Sequence, residues 1–171
     1  RKASAVHPIA AMQTEYSLWT RNPEIAVLEA CKDVGTTFVA FSPVGRGALA
    51  NGVGDVAALP DSDLRRTMPR FLGENWVRNT QIIEQFNAIA AQQGVTPAQL
   101  SLAWVLSRGA HIVAIPGTAS IAHLEENMAR WDWQPSAEIL AQLDALMNEK
   151  TVAGPRYSES MQQTIDTEDF A

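Results

Sequence analysis

The sequence predicts an α/β fold built around a parallel sheet. Short unbroken apolar runs recur along the chain, amphipathic helical stretches alternate with them, and proline or glycine stands at the joints. Strands that are apolar on both faces belong in a sheet covered by helices. Ile9-Ala10-Ala11-Met12-Gln13 is the first such run and ends on a polar residue. Asn22-Pro23-Glu24 then starts a helix, with a capping side chain, a proline suited to the first helical position and an acid at the positive end of the dipole. Ile25, Leu28, Cys31 and Val34 share one face of it, and Gly35 ends it. Thr37-Phe38-Val39-Ala40-Phe41 is the second strand, β-branched and aromatic, closed by Ser42-Pro43.

Residues 42–78 read as a long irregular region, the kind of connection that usually carries function. Helix is expected from Asn79 to Gln93. A second helix follows Thr96-Pro97-Ala98-Gln99, a capping box with proline at the first position. His111-Ile112-Val113-Ala114-Ile115 is the third strand, cut by Pro116-Gly117. Two more helices are expected, Ser120 to Arg130 and Ser136 to Met147, and the polar segment 151–171 reads as an irregular tail. The whole chain, 1–171, reads as a single domain. An open three-stranded sheet leaves two edges that its own helices or a partner must cover.

Composition narrows the function. With 46% hydrophobic residues, the 171-residue chain can bury a core, so disorder is excluded. A net charge of −6 argues against a nucleic-acid partner. No apolar run reaches the ~18 residues of a membrane span. Arg1-Lys2 and the mixed stretch after it do not read as a signal peptide. The lone cysteine, Cys31, forms no internal disulfide, so a cytoplasmic location is expected. Cys31 reads as inert core, His7 and His111 as structural, and Trp131 and Trp133 as packing anchors beneath the last long helix. No group of residues has metal-ligand spacing.

In parallel α/β folds, ligands bind beyond the carboxyl ends of the strands. Three segments lie there: Gln13 to Trp19, Phe41 to Gly47, and Ile115 to Thr118 with the helix opening at Ser120. Small residues and Arg46 in the second, with hydroxyls at a helix start in the third, suit a phosphorylated cofactor. Gly45-Arg46-Gly47-Ala48-Leu49-Ala50 fits a dinucleotide fingerprint by letter alone. Ser42-Pro43-Val44 separates it from the strand, and Asn51-Gly52-Val53-Gly54 interrupts the helix it needs, so the context fails.

Gln13-x-Glu15-Tyr16-Ser17-Leu18-Trp19, then Phe38-Val39-Ala40-Phe41-Ser42-Pro43-Val44-Gly45-Arg46-Gly47, then Ile115-Pro116-Gly117-Thr118 with Leu124-Glu125-Glu126-Asn127, resemble the C-terminal half of an aldo-keto reductase in order and spacing. The resemblance spans residues 8 to 157. It implies an α/β fold that is the C-terminal half of a (β/α)8 TIM barrel, strands six to eight with their helices, and an oxidoreductase that reduces aldehydes and ketones to alcohols with NADP(H) and no metal. It implies that Gln13 hydrogen-bonds the nicotinamide carboxamide. Phe41 would stack on the nicotinamide, where the family commonly has Tyr. Ser42, Val44, Gly45 and Arg46 would line the pyrophosphate, and Gly117 and Thr118 would meet the adenosine phosphate end. His123 stands where a basic residue meets the 2′-phosphate, and Glu126 and Asn127 would bind adenine. Relatives often carry Lys or Arg just after the Gly-Thr pair, where this sequence has Ala119-Ser120. NAD(H) is therefore the alternative cofactor.

The family's catalytic Asp, Tyr, Lys and His belong to the first half of the barrel and have no match here, so the resemblance assigns no catalytic residue. The expected partners are a small carbonyl substrate and the missing N-terminal half-barrel. Two alternatives stand beside this reading: a non-catalytic nucleotide-binding or subunit-type module, and a self-pairing half barrel, which would be a homo-oligomer.

Overall fold

The computed structural model describes residues 1–166 and 168–170. A short helix, α1 (Lys2–Val6), leads into β1 (Ala11–Glu15). A single 3₁₀ turn, Asn22–Glu24, precedes α2 (Val27–Val34), which ends at Gly35 in the left-handed region, φ 69°. β2 (Thr37–Phe41) follows. Four 3₁₀ turns carry the chain from Gly45 to Phe71. Then come α3 (Gly73–Gln92), α4 (Pro97–Ser107), β3 (Ile112–Ile115), α5 (Ile121–Met128), α6 (Ala137–Leu146) and the four-residue α7 (Glu159–Gln162).

The three strands form a parallel sheet in the order β1-β2-β3. Its register makes two rows across one face, Gln13–Val39–Val113 and Glu15–Phe41–Ile115. Side chains alternate along a strand, so the opposite face carries Phe38, Ala40, Ile112 and Ala114. That face packs on the helices: Phe38 and Ala40 are fully buried, against a core that includes Tyr16, Phe86, Leu100 and Trp104. Tyr16 meets the Phe38 ring edge-on at 5.8 Å and the Trp104 ring at 5.4 Å. Removing an aromatic ring from such a packed centre costs about 3–5 kcal/mol. On the first face, Val113 and Ile115 stay more than two-fifths exposed. Among the described residues, no helix is long and apolar enough to cross a membrane.

Several boundaries differ from expectation. β1 begins and ends two residues later than the apolar run suggests, because Thr14 and Glu15 belong to the strand. The helix expected from Asn22 is broken at Ala26, φ −155°. The Glu24 side chain there is bonded to the Tyr16 hydroxyl at 2.7 Å and to Arg21. α3 starts six residues earlier than Asn79. Its first turns are tied to neighbouring loops: Asn75 Nδ2 donates to Pro69 O, and Asn79 bridges Arg70 O and Ala153 N. Trp131 is not a packing anchor but is 71% exposed, whereas Trp133 packs against the core. The segment after Lys150 contains buried Val152, Arg156 and Tyr157.

Candidate functional site

The site is built where β2 and β3 end. After Phe41 the chain makes a tight turn in which Ser42, Gly45, Arg46 and Gly47 all take positive φ, between 50° and 90°. Gly45 is buried, and a Cβ there would sit 3.2 Å from Leu49 Cγ and 3.3 Å from Trp19 Cβ, so glycine is required twice over. The turn closes through Gly45 N to Ser42 O at 3.0 Å and Leu49 N to Val44 O at 3.1 Å. Ser101 Oγ, on α4, donates to Pro43 O at 2.7 Å and fixes the turn to the helix layer. Arg65, held bidentately by Asp63, donates to Arg46 O at 3.3 Å from the other side.

Across from this turn stands α5. Ser120 caps it, its Oγ accepting from His123 N, and Thr118 Oγ1 accepts from Ser120 N at 3.0 Å. Gln99 places the far end of the helix. Its Oε1 completes the capping box of α4 by accepting from Thr96 N, and its Nε2 donates to Glu126 O at 2.8 Å.

Between turn and helix lies a cavity of about 590 Å³. Phe41, Ser42, Val44, Arg46, Gly117, Thr118, His123, Glu126 and Asn127 all line it. These are nine of the eleven residues singled out in the sequence. Gly45 lies behind the lining as the pivot of the turn. Gln13 sits in the middle of β1, opposite Val39, on the exposed face of the sheet, and does not line the cavity. Arg65, Gly47 and Asn51 also line it and were not singled out. Arg65 carried no signal, because it lies in the irregular region with no motif around it. The lining pairs an aromatic face, Phe41, with hydroxyls, two guanidinium-bearing residues, an imidazole, two amides and one carboxylate, Glu126. That set suits an elongated anionic ligand with ring systems. Among the described residues, the cavity lining contains no tyrosine, lysine or cysteine.

Arg46 also reaches a second cluster. Glu15, the last residue of β1, is 1% exposed and accepts from Arg46 Nη2 at 2.8 Å, Tyr157 OH at 2.8 Å and Arg156 Nη2 at 3.1 Å. Burial alone would raise its pKa, but Arg156 and Arg46, with the Tyr157 hydroxyl, outweigh it and hold the carboxyl below its ordinary value. Arg70, lodged between Trp19 O, Thr20 Oγ1 and Gly154 O, has its pKa brought down to about 10, chiefly by burial. Elsewhere, the His111 ring nitrogen Nε2 lies 3.1 Å from Leu28 O, and Cys31 is buried with its thiol pKa pushed up by that burial.

The sequence model of the aldo/keto reductase family matches residues 1–148. The chain belongs to the aldo/keto reductase family. An aldo-keto reductase of Strobilurus tenacellus, str7, is 37% identical over 170 residues, which cover 98% of this aldo/keto reductase chain and 51% of that relative. The glycerol dehydrogenase AKR11B4 from Gluconobacter oxydans superposes with a TM-score of 0.79 at 22% identity, over 89% of this chain and 46% of that one, a likeness of fold. An aldo-keto reductase from Klebsiella pneumoniae, solved in complex with NADPH, gives a TM-score of 0.57 at 28% identity, over 87% and 43% of the two chains. The chain thus spans about half the length of the relatives it matches.

Proposed function

We propose that this chain is the cofactor-holding, C-terminal half of an NADP(H)-dependent aldo-keto reductase barrel, contributing strands six to eight. The observation that carries the reading is the convergence of residues from two strand ends and one helix on a single cavity. Its residues fit the group. Phe41 offers a face for the nicotinamide, and the Ser42–Gly47 turn, with Arg46 and Arg65, suits the pyrophosphate. Thr118 and His123 suit the adenosine phosphate end, while Glu126 and Asn127 suit the adenine edge. Gly117 leaves open space where a Cβ would stand. Gln13, on the exposed sheet face outside the cavity, would meet the carboxamide. When bound, the cofactor supplies a hydride to a carbonyl carbon, reducing an aldehyde or ketone to an alcohol.

This chain's own part is to bind and orient. The proton donor belongs to residues outside it, so the activity belongs to the chain joined with an N-terminal half-barrel. The uncovered sheet face, with Val113 and Ile115, is the side on which that half would sit. A cytoplasmic setting goes with the buried, free Cys31 thiol. NAD(H) is the alternative, since His123 rather than an arginine stands at the 2′-phosphate position. Titration of the chain with NADPH, followed by ligand fluorescence, tests the reading. Saturable binding that Asn127→Ala and Thr118→Ala weaken is expected. Absence of binding, or binding indifferent to both changes, would overturn it.

A further inference from the structure

Glu15 Oε2 accepts from four donors: Arg46 Nη2, Tyr157 OH, and both Nη2 and Nε of Arg156, the last at 3.3 Å. Among the described residues, Oε1 accepts only from Thr20 Oγ1 at 3.1 Å. One carboxylate therefore serves two guanidiniums, crowded on one oxygen that has two lone pairs. The two arginines are not equivalent. Arg156 is 9% exposed and lies outside the dinucleotide cavity. The Arg46 side chain is 21% exposed, borders that cavity, and keeps a buried Nε with no acceptor among the described residues.

We propose that Arg46 is an exchangeable arginine. At rest its guanidinium lies on Glu15 and the Tyr157 hydroxyl. An anionic group entering the cavity draws it away, and Arg156 remains to neutralise Glu15. The inference rests on the dinucleotide reading for the identity of that anion, a pyrophosphate. Departure leaves Glu15 and Arg156 as a one-to-one pair, and Arg46 gains charge-assisted bonds to phosphate oxygens. The main chain need not move, because Arg65 holds the Arg46 carbonyl and the turn's own hydrogen bonds remain. The segment carrying Arg156 and Tyr157 thereby sets the phosphate affinity of a cavity it does not line, and the coupling runs both ways.

Tyr157→Phe removes a hydroxyl that accepts from Arg46 at 2.8 Å and from Arg156 at 3.2 Å and donates to Glu15, while the direct Glu15–Arg156 ion pair stays in place. Titrated with NADPH, the variant chain should bind about two- to tenfold more tightly than wild type, as expected when one competing hydrogen bond is lost. Unchanged or weaker affinity overturns the exchange. A second measurement avoids variants. Inorganic pyrophosphate is added to the ¹⁵N-labelled full chain, and the arginine Nε resonances are followed. Arg46 should shift while Arg156 stays. Both moving together, or neither moving, also overturns it. Pyrophosphate that shifts Arg46 in a chain that does not bind NADPH keeps the exchange and removes the dinucleotide reading. No binding of either probe removes both.

Discussion

Gln99 Nε2 donates to Glu126 O at 2.8 Å, so the first turn of α4 holds the last turn of α5. The same side chain accepts from Thr96 N to finish the α4 cap. Gln99→Ala should therefore lose a cap and a tie together, at a cost of about 1–2 kcal/mol. Gln99→Glu keeps the accepting oxygen and loses the donor, and should fall between. Urea denaturation of the three proteins checks the order, and equal stabilities would refute the double role.

Gly45 supplies the second prediction. Its φ of 57° strains any L side chain, and a methyl group 3.2 Å from Leu49 Cγ would have to push that side chain aside. Gly45→Ala should cost about 1–3 kcal/mol through strained backbone and displaced core. Gly54→Ala is a fitting control, since a Cβ there meets nothing within 4 Å. Thermal melts that fail to separate the two variants would contradict the tight turn.

Acid should loosen the Glu15 cluster. The folded carboxyl lies below its ordinary value of 4.5. The stability it contributes is thus fully present above that pH and is lost as pH falls through the lower folded value. At pH 7, Glu15→Gln leaves the buried Arg156 and the half-buried Arg46 without their carboxylate and should cost about 3 kcal/mol. The gap between wild type and variant should narrow as the pH falls below 4.5 and close once wild-type Glu15 is itself protonated. A gap independent of pH, followed by denaturant midpoints from pH 3 to 7, would remove the ionic account.

The isolated chain should not oxidise NADPH in the presence of a generic aldehyde. The cavity has a place for a hydride carrier but no tyrosine or lysine in its lining to complete proton transfer. Activity should appear when the chain is joined to the N-terminal half of a relative. Aldehyde-dependent loss of NADPH absorbance by the 171 residues alone would place the proton donor within them.

The second strand was legible to the residue, because Thr37–Phe41 is an uninterrupted run bounded by Ser42-Pro43. The α4 cap was legible because all its parts lie within four residues. Other boundaries depend on distant partners. Thr14 and Glu15 look like loop by polarity, yet Glu15 is strand, since Arg46 and Arg156 compensate its charge from far along the chain. The buried Arg156 and Tyr157 look like a polar tail for the same reason. The cavity residues could be found because strand ends are local landmarks, and Phe41, Thr118 and their neighbours follow such ends directly. Arg65 reaches the same cavity from an irregular stretch, a placement made by Asp63 and by the fold of residues 55–71, which no periodicity encodes.

The parallel register of the sheet has a practical consequence for handling the protein. Among the described residues, β1 and β3 each pair on one side only, beside a face where Val113 and Ile115 meet water. Backbone donors and acceptors along both margins are an invitation to stray strands. Preparations of this polypeptide should tend to clump as concentration rises, and a co-expressed complementary half should keep them dispersed by occupying both margins at once.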